Sequence, residues 1–157
     1  MIYPLIGLDL GARPALVLAT GTDECPVLLA ARRFSRWDPE KIVGQIKEWV
    51  GLYPGLVLYC EETFTERRQG RYRVKLDVGR KQEHQASYLE GILSGVCEVR
   101  RVPPVNGFDA QVAWIEFGRP EEGKGSAGEH IRDALGVALR GLIRQGARAE
   151  LVTEGGG

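Results

Sequence analysis

A chain of 157 residues, 43% hydrophobic and 27% charged, suits one packed domain and is short for two. Its 21 basic residues balance its 21 acidic ones, so net charge argues for no polyanionic partner and any such surface must be local. No stretch has the roughly 20 apolar residues of a membrane span, and Cys25, Cys60 and Cys97 lack the spacing of a disulfide framework or a zinc cluster. A cytoplasmic protein with no membrane association is expected.

The apolar run Ile2 to Leu10 ends in Asp9 and Gly11, and two further runs, Ala15 to Thr20 and Val27 to Phe34, follow across turn-like clusters. This spacing predicts a three-stranded meander. Asp38-Pro39-Glu40 then supplies a cap, a proline at the first helical position and an early acid, ahead of Ile42, Val43, Ile46, Trp49 and Val50 at helical spacing. Pro54-Gly55 stops that helix, and Leu56 to Cys60 reads as a short strand buried on both faces, ending at Glu61.

Leu89, Ile92, Leu93 and Val96 mark a second helix that begins after Gly79, and Glu98 to Val102 reads as a fifth strand closed by Pro103-Pro104. The stretch from Gly118 to Gly125 reads as a loop. Ser126-Ala127-Gly128-Glu129 has the pattern of a capping box, opening a last helix through Ile131, Ala134, Leu135, Ala138, Leu139 and Leu142 that Gly146 should end. Residues 1–150 are expected to form one domain, with 151–157 as a disordered tail.

Three strands, a helix, a strand, a helix, a strand and a helix give an antiparallel meander followed by crossover units. The expected fold is α/β, a ribonuclease H-like mixed five-stranded sheet flanked by helices. If the fourth strand pairs in parallel with the first, Asp9 and Glu61 meet at adjacent carboxyl ends. The last helix adds His130 and Asp133, three residues apart and so on one face. Glu129 is set aside, because the capping box gives it a structural task.

Four such groups around one point suit divalent-metal hydrolysis of a phosphodiester, which uses carboxylates to hold ions roughly 4 Å apart. Taken singly, each has a plain alternative: a turn acid, a solvated strand end, a first-turn histidine, an exposed helix acid. Strand phase leaves Glu61 and Glu62 open, since neighbours in a strand face opposite ways.

Ile6-Gly7-Leu8-Asp9-Leu10-Gly11, Glu61-Glu62-Thr63-Phe64 and the block from His130 to Leu139 occur in an order that resembles the RuvC-type Holliday junction resolvases. The resemblance spans residues 5 to 143. It implies that Asp9, Glu61, His130 and Asp133 are catalytic metal ligands, and it favours Glu61 over Glu62. It also implies two Mg2+ ions per site with Mn2+ as substitute, a homodimer, and branched DNA as partner, the four-way junction being resolved by paired symmetric nicks. At the position of His130 the family carries aspartate or histidine. Phe64 matches an aromatic implicated in base stacking, and ordinary packing would explain it equally.

The segment from Gly107 to Gly125 departs from the family in being shorter and less basic. Arg67, Arg68, Arg71, Arg73, Lys75, Arg80 and Lys81 form a basic stretch suited to phosphates, largely through the planar fork of arginine; a solvated surface is its plain alternative. Two other functions fit parts of the sequence. A catalytically silent junction-binding scaffold would keep the fold, and Gly7 to Gly11 also resembles the phosphate-binding turn of actin-like ATPases. Those enclose a nucleotide with two domains, and this chain has length for one.

Overall fold

The computed structural model describes residues 4–63, 66–69, 72–75 and 77–155, with side chains described for 4–63 and 79–146. Three strands open the chain: β1 (Leu5–Asp9), β2 (Ala15–Gly21) and β3 (Pro26–Arg33). β1 pairs with β2 and β2 with β3, both antiparallel, as the meander predicts. Helix α1 (Pro39–Leu52) follows, with the Asp38 side chain accepting from the Lys41 amide and Pro39 in the first turn. Strand β4 (Val57–Glu61) returns parallel to β1.

A two-stranded antiparallel hairpin comes next, β5 (Glu66–Gln69) and β6 (Tyr72–Lys75), separate from the main sheet. Helix α2 (Asp77–Ile92) starts two residues before the expected Gly79. Strand β7 (Glu98–Val102) adds in parallel to β4 and completes the order β3-β2-β1-β4-β7. Helix α3 (Gly107–Glu116) and helix α4 (Glu129–Gly155) finish the fold.

Strand alternation divides the core between the two faces of the sheet. Ile6, Leu8, Leu16, Leu18, Leu58 and Cys60 pack with Ile42, Ile46 and Trp49 of α1 and with Leu89 of α2. Leu5, Ala15, Val17, Ala19 and Tyr59 pack on the other face with Ala113 of α3 and with Ile131, Ala134, Leu135 and Ala138 of α4.

Two expectations are corrected, and the expected loop gains a turn. The capping box lies elsewhere: Asn106 accepts from the Asp109 amide at 2.8 Å while Asp109 accepts from the Asn106 amide, opening α3. Ser126–Gly128 instead form a short 3-10 turn, so Ser126 lacks the extended backbone that a capping residue needs, and it makes no bond to Glu129. The stretch from Gly118 to Gly125 contains a second 3-10 turn, Glu121–Gly123, held by Arg132, which donates to the Gly123 and Gly125 carbonyls at 2.6 Å each.

Gly146 does not end α4, which runs on to Gly155 and takes in most of the expected tail. One interior glycine costs a helix only about 1 kcal/mol, and the following Ala147, Arg148, Ala149, Glu150 and Leu151 are strong helix formers. Among the described residues no helix is long and apolar enough to cross a membrane, and the three cysteines are unpaired.

Candidate metal centre

The parallel register sets Leu8 beside Cys60, so the next residues, Asp9 and Glu61, stand side by side at the carboxyl ends of β1 and β4. Alternation settles which face they use. Asp9 shares the parity of Leu5 and Gly7, and Glu61 that of Val57 and Tyr59, so both face α4. Glu62, next in sequence, is exposed, and its amide donates to the Val102 carbonyl.

Gly7 brings the helix in. A Cβ there would lie 2.5 Å from the Ala134 carbonyl oxygen and 2.8 Å from the Ala138 nitrogen, both fixed backbone atoms. Only a glycine lets α4 approach β1 this closely. In the turn leading up to Ala134, the helix then delivers His130 and Asp133 to Asp9. His130 Nδ1 lies 2.9 Å from Asp9 Oδ2. One ligand atom from each of Asp9, His130 and Asp133 falls within 4.8 Å of the others.

Glu61 stands just outside that trio. Its Oε2 accepts the Val105 amide at 3.0 Å, which fixes its carboxylate beside the cluster. The structure therefore gathers the four residues singled out by the sequence, three closely and the fourth at the edge. Phe64 and Arg71 lie outside the described residues. Arg67, Arg68, Arg73 and Lys75 fall on the backbone of the β5–β6 hairpin, with their side chains outside what is described. Arg80 and Lys81 are exposed on α2, and Lys81 lines a groove of about 970 Å³ with Gly11, Trp37, Gln85 and Tyr88.

The electrostatics are those of a site crowded with carboxylates. Among the described residues Asp9 is the only buried charged side chain, 7% exposed. Burial pushes its carboxyl up from 3.8 to about 8, with Asp133, Glu61 and Glu129 adding like-charge repulsion. Burial also raises Glu61 and Asp133, the first opposed by the Val105 amide and the second by His130. Carboxylates pressed together in this way are stabilised by a cation.

Two residues outside the expected set bear on the site. Glu129 is exposed but close enough to raise both Asp9 and Asp133. The reason for setting it aside disappears with the capping box. Gln85 of α2 accepts from the Gly11 amide and donates to the Gly11 carbonyl, each at 2.9 Å, holding the turn that follows Asp9. Only Gly11, with φ at +136°, hints at that turn in the sequence.

No protein-family model matches this sequence, and no curated protein does. Solved structures do match. RuvC of T. thermophilus, in complex with a Holliday junction substrate, superposes with a TM-score of 0.61 at 16% identity, covering 92% of this chain and 96% of that one. This chain has the RuvC fold. The Fowlpox virus resolvase, in complex with Holliday junction DNA, superposes with a TM-score of 0.50 at 13% identity, covering 92% of this chain and 97% of that one. What this chain shares with RuvC is the mixed five-stranded sheet with its flanking helices.

Proposed function

We propose that this chain is a divalent-metal-dependent endonuclease that resolves four-way DNA junctions by paired, symmetric nicks as a homodimer. The observation that carries this reading is the buried Asp9 carboxyl, raised to about 8 and joined by His130 and Asp133 where β1 meets α4. The superposed neighbours, which are bound to junction DNA, supply the choice of substrate.

The donor set fits a divalent ion: carboxylate oxygens are what Mg2+ demands, and the imidazole nitrogen also admits Mn2+. Asp9 and Asp133 would hold the ion, with Glu61 completing the set for a second. Such an ion supplies the Lewis acidity that phosphodiester hydrolysis needs. His130 orients Asp9 through their hydrogen bond and can hold a proton at Nδ1. Burial of Asp9 keeps water from screening this charge.

Phe64 would stack on unpaired bases, and Arg67, Arg68, Arg71, Arg73, Lys75, Arg80 and Lys81 would meet phosphates. Tyr88 and Ile92, exposed at 45% and 44% on α2, offer apolar surface for a two-fold contact, and a two-fold protein matches a two-fold substrate.

The test is a panel of four-way, three-way, flap and linear DNA under one salt concentration with Mg2+ or Mn2+. Paired symmetric incisions confined to the four-way form are expected. Tight binding with no nicking in either metal would replace the nuclease by a silent junction-binding scaffold.

A further inference from the structure

Most arginines among the described residues are already engaged. Arg100 is paired with Glu98, Arg101 with Glu90 and Glu83, and Arg140 with Asp109, while Arg36 lies 3.9 Å from Asp38. Arg132 is committed to the carbonyls of the 3-10 turn, and Arg144 donates to the Arg101 carbonyl. Arg13, Arg32 and Arg33, like Arg80 and Arg119, are exposed, and among the described residues none of them lies within ion-pair distance of a carboxylate.

The fold gathers these three from different places. Arg13 follows the Gly11 turn, Arg32 and Arg33 end β3, and together they line one cleft of about 710 Å³ with Phe34, Glu129 and His130. His130 belongs both to this cleft and to the metal cluster, so the two are continuous. Two of the arginines are held in place. Arg32 stacks on the Phe34 ring, 4.8 Å from its centroid, and donates to Gln45 at 2.9 Å. Arg33 donates to the Ala127 carbonyl in the turn before α4. Both keep further N–H donors, and restrained side chains lose less entropy when they bind.

We infer that the Arg13–Arg32–Arg33 cleft seats the backbone phosphates of a nucleic-acid strand leading into the metal cluster. The chemistry favours phosphate. Three arginines and a single carboxylate, Glu129, line the cleft, and a guanidinium offers the planar fork that grips phosphate oxygens in pairs. Such contacts carry no base information and serve to register the strand on the site. This inference rests on the nuclease reading for the direction of the strand, and it adds a DNA-contacting surface apart from residues 67–81.

The experiment measures binding of a fluorescent four-way DNA junction in chelator, on an Asp9→Asn background, over a range of salt concentrations. Each lost phosphate contact removes about 0.9 from the slope of log affinity against log salt on duplex DNA. The triple variant Arg13→Gln, Arg32→Gln, Arg33→Gln should lose about 2–3 in slope, and Arg13→Gln alone about 1. Arg13 is exposed and unpaired, so its variant keeps the fold and the result stands if the triple variant does not. Lys47→Gln, on the exposed face of α1, should change the slope far less. Unchanged slopes in the arginine variants would overturn the inference, as would an equal drop in Lys47→Gln, which would mark a diffuse charge effect. Nicking by the wild type is scored separately: a protein that binds but never nicks sinks the nuclease reading, while the slopes still decide the cleft. A wild type that does not bind the junction overturns both.

Discussion

On the face of the sheet covered by α1 and α2, contact is made by large side chains: Ile6, Leu8, Leu16, Leu18, Leu58, Ile42, Ile46, Trp49 and Leu89. The face beneath α3 and α4 mixes large side chains such as Leu5, Tyr59, Ile131 and Leu135 with small ones, Ala15, Ala19, Ala113, Ala134 and Ala138, and has Gly7 under the helix. Farther along α4, a Cβ at Gly136 would strike Val105 at 2.4 Å, and one at Gly141 would meet the Tyr59 ring at 2.8 Å. Large residues bury more apolar area, at about 25 cal/mol per Å², and tolerate small shifts. Small residues bury less but fix the helix position through backbone contact. The first face supplies adhesion, and the second supplies the placement that brings His130 and Asp133 to Asp9.

The largest effect expected from breaking this contrast is at the charge that α4 is placed to meet. Asp9→Asn should reduce nicking by more than the roughly 10–100-fold that loss of an outer partner costs a metal site, with junction binding retained. Parallel loss of binding and nicking in a gel assay would mean that Asp9 supports the DNA surface instead. Next comes the packing itself. Gly7→Val should cost about 1–3 kcal/mol by overpacking and also displace the start of α4, so nicking per folded molecule falls. Ile46→Ala on the opposite face should cost about 2–5 kcal/mol in denaturant titrations, with nicking per folded molecule unchanged. Equal losses of specific activity in the two variants would erase the distinction between the faces.

The smallest effect is on stability against pH. Asp9 rises from 3.8 to about 8 on folding, so its ionised form is disfavoured in the native state. Below the unfolded value the group is protonated in both states and costs nothing. As pH climbs towards 8 the unfolded chain alone gives up its proton, and stability falls. The raised carboxyls of Glu61 and Asp133 act in the same sense. The metal-free protein should therefore lose on the order of 5 °C in Tm between mildly acidic and neutral pH. Asp9→Asn should flatten that loss, and so should saturating Mn2+. A metal-free Tm that rises over this interval would contradict the buried, repelled state of Asp9.

Much of this arrangement is legible in the sequence because β1, β2 and β4 carry largely apolar runs and α1 announces itself with Asp38-Pro39. Strand parity, which decides between Glu61 and Glu62, needs the register and could not be read beforehand. The β5–β6 hairpin is faint to patterning: Glu66-Arg67-Arg68-Gln69 has no apolar residue, and Tyr72-Arg73-Val74-Lys75 alternates over only four residues. Helix α3 is obscured by apolar residues on more than one side, with Phe108 76% exposed and Ala113 buried. The capping pattern at Ser126 misleads because a 3-10 turn uses those residues first. Arg13, Arg32 and Arg33 look like isolated charges until the Gly11 turn and the end of β3 are brought together.

The two hydrogen bonds between Gln85 and Gly11 make one side chain imitate a neighbouring strand, giving and taking at the same residue. That restricts which amino acids position 85 will accept. Glutamate would offer two acceptors and leave the Gly11 carbonyl without a donor; lysine would leave the amide without an acceptor; asparagine has the right head on a stem one methylene shorter. In a saturation library, position 85 should therefore resemble a core site in its intolerance, although its side chain is polar and only partly buried.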